Sequence, residues 1–181
     1  MKNGMLAGAV VLVMAASPAY AQTYGQAKTG KAMSDQHFVT DIANVNMAEV
    51  ELGRLATDKA SNDQVKKFGQ QMADDHTKAG DELKTLAQQK NVTLPTELDA
   101  KHKALRDRLT KMSGEGFDRA YMQAMVSGHR QALNTFRMEA KSGKDPEIKQ
   151  WAEKTLPTIE AHLKQAQEVS RGVVGTTGTK K

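Results

Sequence analysis

The feature that most constrains this chain is a three-and-four spacing of apolar residues that returns in long segments. One stripe reads Phe38, Ile42, Val45, Glu49, Leu52, Ala56; another reads Val65, Gly69, Met72, His76, Ala79, Leu83, Leu86. A looser stripe is Met122, Met125, His129, Ala132, Phe136, and the last is Ile148, Ala152, Thr155, Ile159, His162, Ala166, Val169. Such a period puts each stripe on one face of an α-helix, and faces of this kind are hidden most simply against one another. Alternating Val/Ile/Thr runs are missing and only 4% of the residues are aromatic, so strands have no support. The expected fold class is all-α.

Stop and start signals divide the helical pattern. Ser34 is suited to cap a first helix over 35–60, and Ser61-Asn-Asp-Gln64 reads as a capping box opening a second over 62–90. Pro95 then breaks the pattern, Thr96 can cap a shorter helix over 97–112, and the SGEG stretch 113–116 interrupts again. The third long helix ends at Ser142-Gly143, and Asp145-Pro146 opens the fourth, which is expected to end near Arg171. Helices of about 26 residues span about 39 Å. The first and last joints are short and make antiparallel hairpins, whereas the middle connection is long enough to recross the bundle. The expectation is a ferritin-like four-helix bundle with a long, partly helical crossover between the second and third long helices; the alternative is an up-down bundle with a folded insert. Pro157 lies inside the fourth helix and predicts a kink there, which would aim His162 inward.

The amino terminus, MKNGMLAGAVVLVMAASPAYAQ, has a positive residue, an apolar run and the small-x-small site Ala19-Tyr20-Ala21. That is the pattern of a secretory signal peptide over 1–21, cut after Ala21, and the run is too short to span a membrane. The mature chain is expected to be periplasmic or secreted, with a polar linker over 22–33, a bundle domain over 34–171 and a disordered Gly/Thr tail over 172–181. The chain has no cysteine, which excludes disulfides, thiolate metal sites and a lipoprotein anchor. Without Lys2 the chain keeps 25 of its 26 basic side chains against 21 acidic ones, a formal +4. That permits weak attraction to anionic envelope surfaces. The basic run Lys101 to Lys111 contains Asp107 and no aromatic residue, so nucleic acid is not an expected partner.

Each long stripe carries one ionisable residue near mid-helix: Glu49, His76, His129 and His162. Counted at 1.5 Å per residue from the first joint, Glu49 and His76 lie about 18 and 22 Å down; from the last joint, His129 and His162 lie about 22 and 27 Å in. Burying such groups singly costs several kcal/mol, so side chains that converge on one level must satisfy one another, a water or a metal. Imidazoles with a carboxylate suit one Zn, Cu or Fe ion, and Met72 and Met125, one turn before two of the histidines, would tilt the choice to copper. A buried hydrogen-bond network with no ion is the competing reading, and a His/Met haem or small redox site is a weaker third. His37 and His102 lie off this level and are read as surface residues. Asp74 and Asp75 are expected to face solvent, where one could orient an imidazole.

Ala48-Glu49-Val-Glu51-Leu52-Gly, Met72-Ala-Asp-Asp-His76, Phe117-Asp118-Arg-Ala-Tyr121 with His129, and Leu156-Pro157 with His162-Leu163 follow in order over residues 34–170. In these the chain resembles an exported bacterial family of unknown function, domain of unknown function 4142, whose members are often labelled outer-membrane or periplasmic proteins. The resemblance implies a ferritin-like bundle and supplies no activity. Di-iron ferritin-like proteins carry Glu-x-x-His on two helices, but the positions three before the histidines here are Ala73, Val126 and Ile159. Carboxylate-bridged iron chemistry is therefore not expected, and no nucleophile triad or nucleotide loop is present. The sequence reading is of an exported, non-catalytic bundle with a structural or stress-related envelope role; the alternative is a metal-binding bundle.

Overall fold

A computed structural model of the protein describes residues 34–175, with side chains described through Val173. The expected signal peptide (1–21), the linker (22–33) and the end of the tail (176–181) lie outside the described residues.

The elements are α1 (Asp35–Lys59), α2 (Asp63–Gln89), α3 (Ala100–Thr110), α4 (Gly114–Ser142) and α5 (Pro146–Gly175). Ser34 caps α1 by accepting a bond from the His37 N–H. The cap of α2 is Asn62, not Ser61: its Oδ1 accepts from the N–H groups of Gln64 and Val65. Ser61 is drawn away because its hydroxyl donates to Asp118 on α4. The short helix begins three residues later than the sequence suggests, because its N-cap is Asp99 rather than Thr96, with the Asp99 side chain accepting from the His102 N–H. Asn91, at φ 54, turns the chain off the end of α2 while Val92 N–H donates to Ala87 O, closing the helix before Pro95 is reached. Helix α5 is continuous through Pro157 and runs to Gly175, beyond the end expected near 171. Val173 is buried in the core, so residues 172–175 belong to the helix and not to the tail.

Two end contacts decide the topology. At one end Asp118, near the start of α4, accepts bonds from the α1–α2 joint at Ser61 and Asn62. At the other, Asp35, at the start of α1, accepts from Lys144 N and Asp145 N in the α4–α5 joint. Helix α4 therefore runs antiparallel to α1 and parallel to α2, and the connection carrying α3 returns along the length of the bundle. The all-α bundle therefore has a single long middle crossover, and a simple up-down order does not apply.

The core falls into two apolar clusters. One surrounds Leu52, Phe68, Leu109, Phe117, Tyr121, Met122 and Val173 toward the α1–α2 joint. The other surrounds Phe38, Ile42, Leu83, Phe136, Ile148 and Trp151 toward the opposite end. Helices α1 and α2 meet at Gly53 and Gly69, where a Cβ on Gly53 would lie 2.5 Å from the Gly69 carbonyl oxygen. That close approach holds the hairpin tight and sets the register of Asn46 against His76.

Candidate metal centre

The three seam histidines meet between the two apolar clusters. Ring centroids are 5.8 Å apart for His76–His129, 5.6 Å for His76–His162 and 5.6 Å for His129–His162, a nearly equilateral triangle. One ring nitrogen from each lies within 4.8 Å of the other two. His129 and His162 are buried at 2% and 3% exposure. His76 is partly exposed as a residue, yet its Nε2 is buried.

Each imidazole is held from behind by an acceptor on a different part of the bundle. His129 Nδ1 lies 2.9 Å from the Met125 carbonyl oxygen one turn back on α4. His162 Nε2 lies 2.9 Å from Asp75 Oδ2, a carboxylate reaching across from α2. His76 Nδ1 lies 2.8 Å from Asn46 Oδ1 on α1. A carbonyl or a carboxylate can only accept, so the bonded ring nitrogen must carry the proton. The remaining nitrogens, His76 Nε2, His129 Nε2 and His162 Nδ1, then present lone pairs, and all three are buried without a hydrogen-bond partner. A buried acceptor left unpaired costs about 1–3 kcal/mol.

Two of the three rings, His76 and His162, are also biased toward the neutral form. Burial, followed by the neighbouring His129 and His162, lowers the His76 pKa to about 3. Burial lowers His162 as well, against the pull of Asp75 in the other direction. Clustered imidazoles, each oriented through one ring nitrogen, fit what a transition-metal ion requires of its ligands. The histidines border a cavity of about 40 Å³ otherwise walled mainly by Ile42, Val45, Ala132, Phe136, Trp151 and Ile159. A space of about 10–15 Å³ by this measure holds a water, so an ion and a small co-ligand have room.

The other expected site residues are placed differently. Glu49 is buried and borders the same cavity, with its Oε1 3.9 Å from His129 Nδ1, the nitrogen bonded to the Met125 carbonyl, while the cluster of nearby ring nitrogens is made by the three histidines. Burial raises its pKa, with His129 acting in the opposite sense, and its Oε2 has no partner. Met72 and Met125 pack their side chains in the apolar cluster on the α1–α2 side, and neither borders the cavity. What Met125 brings to the site is its backbone carbonyl. Asp75 orients an imidazole as foreseen for an acid beside His76, but the ring is that of His162. His37 is exposed, whereas His102 is half-buried beside Asp99.

Asn46 and Trp151 escaped the sequence reading. Asn46 follows Ile42 by four residues and precedes Glu49 by three, the same helical spacing used for the core, but Val45 is the more apolar choice for the stripe. The structure buries Asn46 at 6% and leaves Val45 half-buried.

The pattern of the family described as a domain of unknown function, DUF4142, matches residues 21–169. The chain belongs to this family. No curated protein matches it in sequence. Among solved structures, the chain is similar to a DUF305 protein from Streptomyces coelicolor (13% identity, TM-score 0.66, covering 79% of this chain and 94% of that one). It is also similar to CopM in its Cu(II)-bound form (20% identity, TM-score 0.66, covering 78% and 99%). A DUF305 fragment from Deinococcus radiodurans aligns at 12% identity with a TM-score of 0.66 over 75% of this chain and 94% of that one. These likenesses establish a shared all-α bundle for this DUF4142 chain. Among its described residues no helix is long and apolar enough to cross a membrane.

Proposed function

We propose that this DUF4142 protein is exported and binds one transition-metal ion through His76, His129 and His162, with copper the first ion to test. The observation that carries the reading is that the three histidines each offer a ring nitrogen within 4.8 Å of the other two, and each ring has one buried nitrogen without a hydrogen-bond partner. A purely structural hydrogen-bond network would join these nitrogens to protein donors, and among the described residues none bonds to them. Imidazole donors suit copper, zinc, iron and nickel alike. Copper comes first because CopM, which shares the fold, is described in Cu(II)-, Cu(I)- and silver-bound forms. Export rests on the amino-terminal pattern ending at Ala21.

In this reading Asn46, Asp75 and the Met125 carbonyl orient the rings, and the Phe136–Trp151 side of the cavity keeps bulk water away. Glu49 stands outside the ligand set as a buried carboxyl neighbour of His129. A bound ion would supply a Lewis-acidic centre beside the apolar cavity.

The test uses the untagged mature protein. At a free copper concentration of about 100 Kd, binding to the native state stabilises it by about 2.7 kcal/mol, read as a rise in Tm. His162→Ala should abolish both the shift and the bound ion. Wild-type protein that retains no ion after dialysis and shows no shift with copper, zinc or iron would refute the reading.

A further inference from the structure

A buried metal site needs a way in, and two surface grooves reach this one from opposite sides of α1. The larger, about 570 Å³, lies between α1 and α4 and is bordered by His102, Leu105 and Arg108 of α3. It shares Ile42, Val45, Glu49, Gly128 and Ala132 with the inner cavity, so the partition between the two spaces is a single layer of side chains. Of those five, Glu49 alone can bear charge. Gly128 offers no side chain to close the gap; a Cβ there would stand 3.7 Å from Glu49 Oε1 in otherwise ordinary contact. Glu49 Oε2, buried and without a partner, is an acceptor placed in the partition itself.

The second groove, about 440 Å³, lies between α1 and α2 and meets the inner cavity at Asn46 and His76. There the way is shut by the 2.8 Å contact between Asn46 Oδ1 and His76 Nδ1. An ion arriving on that side meets a protonated nitrogen, not a lone pair.

We propose that metal ions reach the histidine triad through the α1–α4 groove, crossing beside Gly128 with the Glu49 carboxylate as a transit ligand. The proposal rests on the metal-binding reading above. Its physical basis is that a cation shedding water at an apolar wall faces a steep desolvation cost, which a carboxylate in the wall offsets. Glu49 then has a purpose of its own: it hands the ion inward and is left outside the final ligand set.

Trp151 is the chain's single tryptophan and borders the inner cavity, so its fluorescence reports arrival of a quenching ion. Stopped-flow mixing of the mature protein with Cu(II) measures the loading rate, and equilibrium dialysis measures the final copper content. Gly128→Val and the isosteric Glu49→Gln should each load about tenfold more slowly than wild type, equivalent to about 1.4 kcal/mol of barrier, and reach the same final content. Gly80→Phe fills the opposite groove, where an added Cβ meets nothing within 4 Å, and should load at the wild-type rate. Wild-type rates in both Gly128→Val and Glu49→Gln, or slowing by Gly80→Phe alone, would overturn the route while leaving the triad intact. A wild-type protein that takes up no copper overturns the metal reading itself.

Discussion

Asp118 and the histidine triad are both buried polar groups on the inner surface of one bundle, and they are treated in opposite ways. Asp118, 1% exposed, accepts bonds from Ser61 N at 3.0 Å, Ser61 Oγ at 2.5 Å and Asn62 N at 3.0 Å. Its hydrogen-bonding capacity is used, and the bonds tie α4 to the α1–α2 joint. The triad is half satisfied: one nitrogen of each ring is held, and the other is buried without a partner. Buried polarity that closes on itself holds a fold together; buried polarity left open at one shared point is a cost the fold alone gives no reason to carry.

The difference can be broken at either end. The largest effect is expected at Asp118: Asp118→Ala leaves two backbone N–H groups and a hydroxyl without their acceptor and should cost about 4 kcal/mol in denaturant unfolding. Copper uptake by the folded fraction should be unchanged. A loss below about 1 kcal/mol would mean that solvent replaces those bonds and that the contrast with the triad is false.

A smaller effect is expected at Glu139, a buried carboxyl at the other end of the bundle. Burial, then Asp35 and Asp145, raise its pKa from 4.5 to about 7. The folded state therefore binds this proton more tightly than the unfolded chain does. The associated stability is complete below about pH 4.5 and is lost as pH rises through about 7. Glu139→Gln removes the ionisation, so near pH 8 the variant should be more stable than wild type by about 1–2 kcal/mol, with the gain vanishing near pH 4. Melting curves of the two proteins across that range measure it, and parallel pH profiles would refute it.

The smallest effect sharpens the comparison most. His129→Leu removes a ring whose Nε2 is already unpartnered, so the metal-free protein should change by less than about 1 kcal/mol while copper binding is lost. A loss as large as that of Asp118→Ala would mark the triad as structural.

Much of this was legible in the one-dimensional pattern. Cap residues such as Ser34, and Gly143 just past α4, are local signals, because they act within a turn of their own chain. The cap at Ser61 was misread for a nonlocal reason: Asp118, a partner 57 residues away, claimed its hydroxyl. The common depth of the three histidines followed from counting rise along rods of similar length, and the structure brings them to one level. The same count gave Glu49 a similar depth, and it borders the same cavity, but depth says nothing about which ring nitrogen a neighbour meets, and the Glu49 carboxyl stands 3.9 Å from His129 Nδ1. Met72 and Met125 lie one turn away from the rings, and one turn, about 5.4 Å, is enough to leave the cavity.

The sequence alone determined four long amphipathic rods, their joints, the length of the middle connection and the identity of the polar residues on the inner stripes, because helical period and punctuation are properties of neighbouring residues. Tertiary structure alone decided that α4 runs parallel to α2, that Asn46, Asp75 and a backbone carbonyl hold the rings, and which nitrogen of each ring is left bare. Those outcomes depend on distances between residues far apart in the chain, which no local period encodes.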